Sequence, residues 1–282
     1  MSLIIDNLSF SYGKNEIFAN YNMELQNGIN VILGANGSGK TTLFKILATI
    51  FEPKKGAIIL NSLDYKSKEY RKHIAYIPQN FDIYPNLKVN EFLEYVAQIK
   101  YNYSHKQIVN EIDRISAATD IIDFLDKKMK DLSEGMRKRV GIAQALIGDA
   151  DLIIADEPTA GLDPEQRNKF NIVLKKIMTN KIFLISTHII EDIKEYYDHI
   201  ITLSNGNISF SGNYRQLMNS LDNSVVEMTI QLSDLEEYEK KYKIIYKNFN
   251  EEIVTIRAVV DNIEDNMKII TPTITEIWTY YK

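Results

Sequence analysis

The fold of this chain is decided by the stretch Gly34-Ala35-Asn36-Gly37-Ser38-Gly39-Lys40-Thr41-Thr42, which completes the pattern G-x-x-x-x-G-K-[ST]. Residues 29–33 before it form a mostly apolar run that predicts a buried strand, and residues 43–47 after it predict a helix. A glycine-rich turn between a strand and a helix lets successive backbone N–H groups surround a chain of phosphates. A chance lysine beside an ordinary glycine turn is the alternative, which the strand and the helix disfavour.

The same stretch, here called the phosphate loop (residues 34–42), predicts how a triphosphate is bound. The helix that follows points its positive end toward the phosphates. Lys40 can reach the β- and γ-phosphates, and the hydroxyl of Thr41 is placed to ligate Mg²⁺. The residues that we expect to contact the nucleotide here are Gly34, Asn36, Gly37, Ser38, Gly39, Lys40, Thr41 and Thr42.

Composition narrows the class of protein. The chain has 282 residues, a formal net charge of −5 and no cysteine. The missing cysteine excludes disulfides, thiolate metal sites and cysteine nucleophiles, and the charge gives no reason to expect a nucleic-acid partner. We find neither a signal peptide nor the roughly 18 consecutive apolar residues that a membrane span needs. If the protein serves transport, we expect another polypeptide to cross the bilayer.

The pattern of apolar residues predicts an α/β architecture with added parts. Short alternating runs in residues 1–30, and a further run at 56–61, predict an antiparallel β layer. A strand at 74–77 is stopped by a proline, and residues 87–147 are helical in pattern. Continuous apolar strands at 151–155, 181–185 and 199–203, separated by expected helices, predict a parallel core.

Two acidic residues follow the first of these apolar strands. Asp156 and Glu157 come directly after residues 152–155, at the strand end where α/β sheets bind ligands. Asp156 is placed to hold a metal ion, and Glu157 can polarise the water that attacks a γ-phosphate. The alternative is a pair of solvated carboxylates, and the phosphate loop upstream favours the functional interpretation.

Ser133 precedes a long predicted helix that runs from Arg137 to Ile147. Serine is a preferred N-cap residue, and a helix start is also a site where phosphate binds. Taken alone, the residue is better explained as a cap.

The order of these signals resembles the nucleotide-binding subunit of ATP-binding cassette (ABC) transporters. The resemblance runs from about residue 2 to residue 218. It implies a P-loop NTPase cassette over residues 1–218, with a mixed sheet core, an antiparallel β subdomain and a helical subdomain at about 84–147. Residues 219–282 are then a small α+β accessory domain. The matching signals are the phosphate loop, Gln79, residues 132–136, Asp156-Glu157, Gly161-Leu162-Asp163 and Thr187-His188.

The resemblance also implies roles for single residues. Tyr12 looks like the aromatic residue that stacks on adenine, although a tyrosine packed in a turn remains an alternative. Gln79 looks like the glutamine that touches Mg²⁺ and moves with the transmembrane partner. His188 looks like the histidine that contacts the γ-phosphate, and Asp163 like the aspartate that couples two facing sites.

One motif departs from the family pattern. The family signature usually reads Leu-Ser-Gly-Gly-Gln, whereas this chain has Glu134 and Met136 in the third and fifth places. In the family this signature covers the γ-phosphate bound to the other subunit, which a carboxylate would repel. We therefore expect the Glu134 side chain to point away, leaving Ser133 and the Gly135 N–H to make contact.

The resemblance implies an ATPase that powers a transporter. Two cassettes, as a homodimer or a heterodimer, would trap ATP and Mg²⁺ between them at the cytoplasmic face of the membrane, beside a separate transmembrane permease. Residues 141–146, the stretch through Gly161-Leu162-Asp163-Pro164 and the tail at 272–278 are similar to a branch of bacterial exporters. Alternatives are a soluble ABC ATPase acting on ribosomes or nucleic acid, and a non-hydrolysing regulator.

Overall fold

The computed structural model describes residues 1–79, 84–101, 103–148, 150–177, 180–190, 193, 197–264 and 267–282. In it the phosphate loop lies between strand β3 (Gly28–Gly34) and helix α1 (Lys40–Leu47). The predicted strand, turn and helix around the glycine pattern are therefore confirmed.

The central sheet has the strand order β10-β9-β3-β8-β7-β6. Strands β9, β3, β8, β7 and β6 are parallel, and β10 pairs with β9 in the antiparallel sense. Every residue of β7 and β8 is buried, as expected for strands covered on both faces. Their carboxyl ends share one edge of the sheet. The bounds are β6 (Ile74–Ile77), β7 (Leu152–Ala155), β8 (Ile182–Thr187), β9 (His199–Ser204) and β10 (Asn207–Gly212).

A second, antiparallel sheet packs on the first. Its order is β2-β1-β4-β5, formed by β1 (Ser2–Tyr12), β2 (Asn15–Gln26), β4 (Lys55–Leu60) and β5 (Leu63–Asp64). The predicted β layer is confirmed, but its short runs join into two long strands. Side chains such as Leu8, Phe44 and Leu184 form one core, so α1 is enclosed between this sheet and the central one.

The helical part lies largely between β6 and β7. Its helices form a common core with the other face of the central sheet, in which Phe92, Ile115 and Val140 meet Val31 and Ile153. The helix expected between β8 and β9 falls mostly outside the described residues. The bounds are α2 (Lys68–Lys72), α3 (Val89–Tyr101), α4 (His105–Thr119), α5 (Glu134–Leu146) and α6 (Pro164–Ile177), with single 3₁₀ turns at Ile122–Phe124 and Met129–Asp131.

The C-terminal part forms an antiparallel sheet in the order β12-β13-β11-β14, with its own apolar cluster around Met228 and Ile256. Its strands and short helices are in keeping with the small α+β part expected from the sequence. The last helix was not anticipated. The bounds are α7 (Tyr214–Met218), β11 (Val225–Gln231), α8 (Leu235–Lys241), β12 (Lys243–Asn250), β13 (Ile253–Val259), β14 (Lys268–Ile269) and α9 (Ile274–Tyr281).

Helix α9 packs back on the central sheet. Ile277 and Trp278 join the core of the helical part. At the end of the helix, Ser204 Oγ donates to the Lys282 carbonyl at 2.6 Å and Ser209 Oγ to the Tyr281 carbonyl at 2.8 Å. The division after residue 218 therefore stays a prediction, because the two parts share buried side chains. Among the described residues, none of the helices has both the length and the apolar character of a membrane span.

Candidate functional site

The phosphate loop adopts a backbone that two of its glycines make possible. Gly37 has a φ of +84° and Gly39 a φ of +107°, which side-chain-bearing residues rarely adopt. A Cβ added at Gly37 would touch nothing, so conformation alone requires glycine there. The residues Asn36, Gly37 and Thr41 are exposed at the loop, whereas Ser38 and Thr42 are buried.

Lys40 curls back over the loop. Its Nζ donates to the carbonyl oxygens of Gly34 at 2.6 Å and Ala35 at 3.1 Å. Burial lowers the pKa of the ammonium, and the nearby carboxylates of Glu157 and Asp156 oppose that shift. The loop lysine and the two acidic residues after β7 therefore belong to one electrostatic cluster.

Asp156 is fixed by a serine that the sequence analysis did not single out. Ser186 Oγ, on the neighbouring strand β8, donates to Asp156 Oδ1 at 2.6 Å and accepts from the Glu157 N–H at 2.8 Å. Asp156 is only 1 % exposed, and its Oδ2 has no hydrogen-bond partner within the described part of the chain. A buried carboxylate oxygen without a donor is costly, so this atom suits a bound cation.

Glu157 contacts both of the other residues predicted to be catalytic, Gln79 and His188. Gln79 Nε2 donates to Glu157 Oε2 at 3.0 Å, and His188 Nδ1 lies 3.0 Å from Glu157 Oε1. Gln79 follows β6 and His188 follows β8, so parallel strands on either side of β7 bring them to Glu157. Glu157 itself has a φ of +46°, a strained value for a non-glycine residue.

Lys138 is a further residue that the sequence analysis missed. It lies in α5, is 7 % exposed, and its Nζ donates to the Gln79 carbonyl at 3.1 Å. A signal was present in the sequence, because Lys138 precedes Ile142 by four residues and Ala145 by seven. That spacing places a lysine on the buried face of a helix.

The signature residues lie at the start of α5. The hydroxyl of Ser133 accepts from the Met136 N–H at 3.3 Å, so the cap interpretation is confirmed, and Ser133 is exposed. The Glu134 carboxylate lies against Gly161 of the same chain, where an added Cβ would come 2.3 Å from Oε1. Its orientation relative to a facing subunit's phosphate stays a prediction. The glycine at 135 lies in the same first turn.

Asp163 caps α6, since its Oδ1 accepts from the Gln166 N–H at 2.8 Å. Within the described residues, no hydrogen bond joins Asp163, Ser133 or Gly135 to the phosphate loop of the same chain. The phosphate loop, Asp156, Glu157, Gln79 and His188 thus lie together. Asp163, Ser133 and Gly135 are not joined to the phosphate loop by the described hydrogen bonds.

The surroundings of Tyr12 fit both interpretations, a ring that stacks on adenine and a tyrosine packed in a turn. Its hydroxyl lies 3.3 Å from Thr42 Oγ1, at the end of the phosphate loop. Its ring is edge-on to Phe10 and Phe51, with centroids 5.0 and 5.7 Å away, yet the residue is 47 % exposed. A packed ring with a free surface beside the loop can still receive a base.

The described residues contain no group of three His, Asp or Glu side chains able to hold a metal ion by themselves. In nucleotide sites Mg²⁺ takes one or two carboxylates together with substrate phosphates and water. Asp156, with its unpartnered oxygen, is the residue that best fits such an ion.

Comparisons with known proteins identify the family. The family model described as ABC transporter matches residues 18–160. An uncharacterized ABC transporter ATP-binding protein of Bacillus subtilis, YxlF, is 30% identical over 251 residues, covering 87% of this chain and 83% of that protein. The Nod factor export ATP-binding protein I of Cupriavidus metallidurans is 30% identical over 213 residues, covering 74% of this chain and 70% of that protein.

Relatives named for import also occur. The molybdate/tungstate import ATP-binding protein WtpC of Pyrococcus abyssi is 33% identical over 166 residues, covering 58% of this chain and 48% of that protein. Among solved structures, the dimeric ATP-binding cassette MJ0796 bound to ADP and Pi matches with a TM-score of 0.66 and 25% identity, over 75% of this chain and 98% of that one. This chain belongs to the ABC transporter family, and its fold is that of an ATP-binding cassette.

Proposed function

We propose that this chain binds and hydrolyses ATP to drive a transporter, and that the transporter is an exporter. The observation that carries the proposal is the position of Glu157, held between Gln79 and His188 beside the loop lysine. A carboxylate oriented by two neighbouring side chains at a strand end suits a general base. The exporter assignment draws on the relative named for Nod factor export, and the import relative keeps the direction of transport open to test.

The phosphate loop grips the triphosphate. Backbone N–H groups of the loop and the Lys40 ammonium neutralise the phosphates, and the Thr41 hydroxyl, Asp156 and Gln79 would hold Mg²⁺. When bound, the ion would supply positive charge that stabilises the phosphates. Tyr12 receives the adenine ring on its exposed surface.

Hydrolysis uses the cluster around Glu157. Its carboxylate accepts a proton from water while the water oxygen forms a bond to the γ-phosphorus and the bond to the ADP oxygen breaks. His188 contacts the transferred phosphoryl group, and Gln79 keeps Glu157 oriented through the 3.0 Å bond to Oε2. Positioning and electrostatics supply most of the catalysis in such reactions.

The site is completed by a second cassette, as a homodimer or a heterodimer. Ser133 and the Gly135 N–H of one copy cover the phosphate bound to the other, and Asp163 links the two sites. Their separation from the loop of their own chain, the exposure of Ser133 and the dimeric state of MJ0796 support this arrangement.

The membrane partner is proposed to be a separate permease that docks in a groove of about 450 Å³ on the helical part. The exposed aromatic rings of Tyr84 and Tyr95 lie in that groove with Leu87, while Glu91 and Glu94 add negative charge. An amphipathic helix with basic residues from the permease fits such a surface. The chain would then work at the cytoplasmic face of the membrane.

ATP hydrolysis by the purified chain tests the proposal. We expect Mg²⁺-dependent phosphate release by the wild type and loss of ATP binding in Lys40→Ala, with the exposed Lys14→Ala as the matched control. A wild type that binds ATP without hydrolysing it would support the non-hydrolysing regulator instead.

Affinity purification from membranes tests the partner. Recovery of an integral membrane protein supports the transporter. Recovery of ribosomes or nucleic acid without a membrane protein would support the soluble alternative.

A further inference from the structure

Lys138 is a buried lysine that links α5 to the residue beside the proposed general base. Its ammonium donates to the Gln79 carbonyl at 3.1 Å, and the side-chain amide of Gln79 donates to Glu157 Oε2 at 3.0 Å. Two consecutive contacts through one residue therefore join a helix of the helical part to Glu157.

A stabilising role alone does not account for a lysine at this position. Burial of an ammonium is costly, and the neighbouring buried positions of α5 are filled by Val140, Ile142 and Ala143. Burial lowers the pKa of Lys138, while the carboxylates of Glu134, Glu157 and Asp156 favour its charged form. The Arg137 guanidinium opposes the charge.

The position of Lys138 along α5 shows which two parts of the site the contact connects. Helix α5 is capped by the exposed Ser133, which with Gly135 meets the facing subunit's nucleotide in the proposed function. Lys138 lies just over one turn further along the same helix, on the face that meets Gln79. The two hydrogen bonds through Gln79 thus connect the N-terminal turns of α5 to Glu157.

We infer that Lys138 is a positioning residue that makes the placement of Gln79 and Glu157 depend on how α5 engages the facing subunit. This inference rests on the proposed function. Within the described part of the chain, the Lys138 ammonium donates to the backbone of Gln79, and no hydrogen bond joins it to the phosphate loop. Its removal should therefore alter turnover and the coupling between the two sites, and leave ATP affinity unchanged.

The test compares Lys138→Met, which keeps the length and removes the charge, with Lys138→Arg and with the exposed Lys130→Met as control. In Lys138→Met we expect kcat to fall by about tenfold or more with KM for ATP within about twofold, the pattern of an interaction that matters in the transition state. The Hill coefficient for ATP should fall toward one. Lys138→Arg should recover much of kcat, and Lys130→Met should match the wild type.

A second readout does not depend on activity. In the Glu157→Gln background, Lys138→Met should form the ATP-dependent dimer at the same ATP concentration as its parent, measured by sedimentation velocity. A weaker dimer, or a KM that rises with the fall in kcat, would mean general damage to α5 and would overturn the inference.

An unchanged kcat and Hill coefficient in Lys138→Met would overturn it as well. The proposed function has its own contradicting outcome, which is a wild type that does not hydrolyse ATP. That outcome would overturn the positioning role as well. Thermal unfolding of each variant shows whether it is folded.

Discussion

Two regions of the molecule each bury a carboxylate, and the two carboxylates differ in how completely they are hydrogen-bonded. In the nucleotide site, Asp156 receives one bond from Ser186, and its Oδ2 has no partner among the described residues. At the start of α9, Glu276 accepts from Arg257 Nη1 at 2.8 Å with one oxygen and from Thr273 N and Oγ1 at 2.7 and 2.9 Å with the other.

The difference separates a site for a ligand from a structural contact. A fully bonded buried carboxylate such as Glu276 fixes one element on another, here α9 on the C-terminal sheet. A buried carboxylate with one unpartnered oxygen, such as Asp156, carries a desolvation cost that a bound cation would offset. We therefore expect substitutions in the first region to change chemistry with little effect on stability, and substitutions in the second to do the reverse.

The largest effect is expected for Glu157→Gln. Loss of a general base lowers turnover by about 10²–10⁴-fold, while ATP binding and thermal stability should stay close to wild type because the amide keeps the shape of the side chain. Steady-state phosphate release and calorimetric ATP titration measure the two. Turnover like that of the wild type would remove Glu157 from the mechanism.

Arg257→Met should give the next largest effect, and on stability only. It leaves the Glu276 carboxylate without its cation, which costs about 1–3 kcal/mol of unfolding free energy. Urea unfolding of the variant measures this, and ATP hydrolysis at a temperature where it is folded should be unchanged. A large loss of kcat with normal stability would show that the two regions are not separate.

Tyr12→Ala should have a smaller effect, on nucleotide affinity. Stacking of a base on an aromatic ring is worth about 1–3 kcal/mol, and the exposure of Tyr12 favours the low end, about fivefold in Kd. Tyr12→Phe keeps the ring and serves as the control. Equal ATP affinity in all three proteins would favour the packed-turn interpretation, which predicts a change in stability alone.

The smallest effect is expected from pH at Glu276. Burial opposes its ionisation, but the bonds from Thr273 and Arg257 outweigh burial and hold its pKa below the ordinary value. The stabilisation is therefore present above the ordinary pKa of about 4.3 and is lost as the pH falls through the lower folded value. The gap in unfolding free energy between wild type and Glu276→Gln should narrow below about pH 4. A gap that is constant with pH would contradict this.

Local patterns predicted most of the site. Glycines that need a positive φ, and acidic or polar residues directly after apolar strands, are signals that lie within a few residues of each other. The roles of Gln79 and His188 came from the family resemblance, and the structure brings both residues to Glu157 because the ends of parallel strands meet at one edge of a sheet.

Contacts between distant elements were harder to predict. Ser186 matters only because β8 lies beside β7, and Lys138 only because one face of α5 packs over Gln79. Helix α9 was missed although Thr273 and Glu276 form a capping box, since its β-branched and aromatic residues have weak helix propensity. Its position depends on Arg257, which is distant in sequence.

The mass of the Glu157→Gln protein in solution with and without ATP and Mg²⁺, measured by sedimentation velocity, decides whether two cassettes share the nucleotide. We expect a monomer without nucleotide and a dimer with it, since Ser133 and Gly135 of one copy complete the site of the other. A protein that stays monomeric at saturating ATP, even with its membrane partner present, would contradict it.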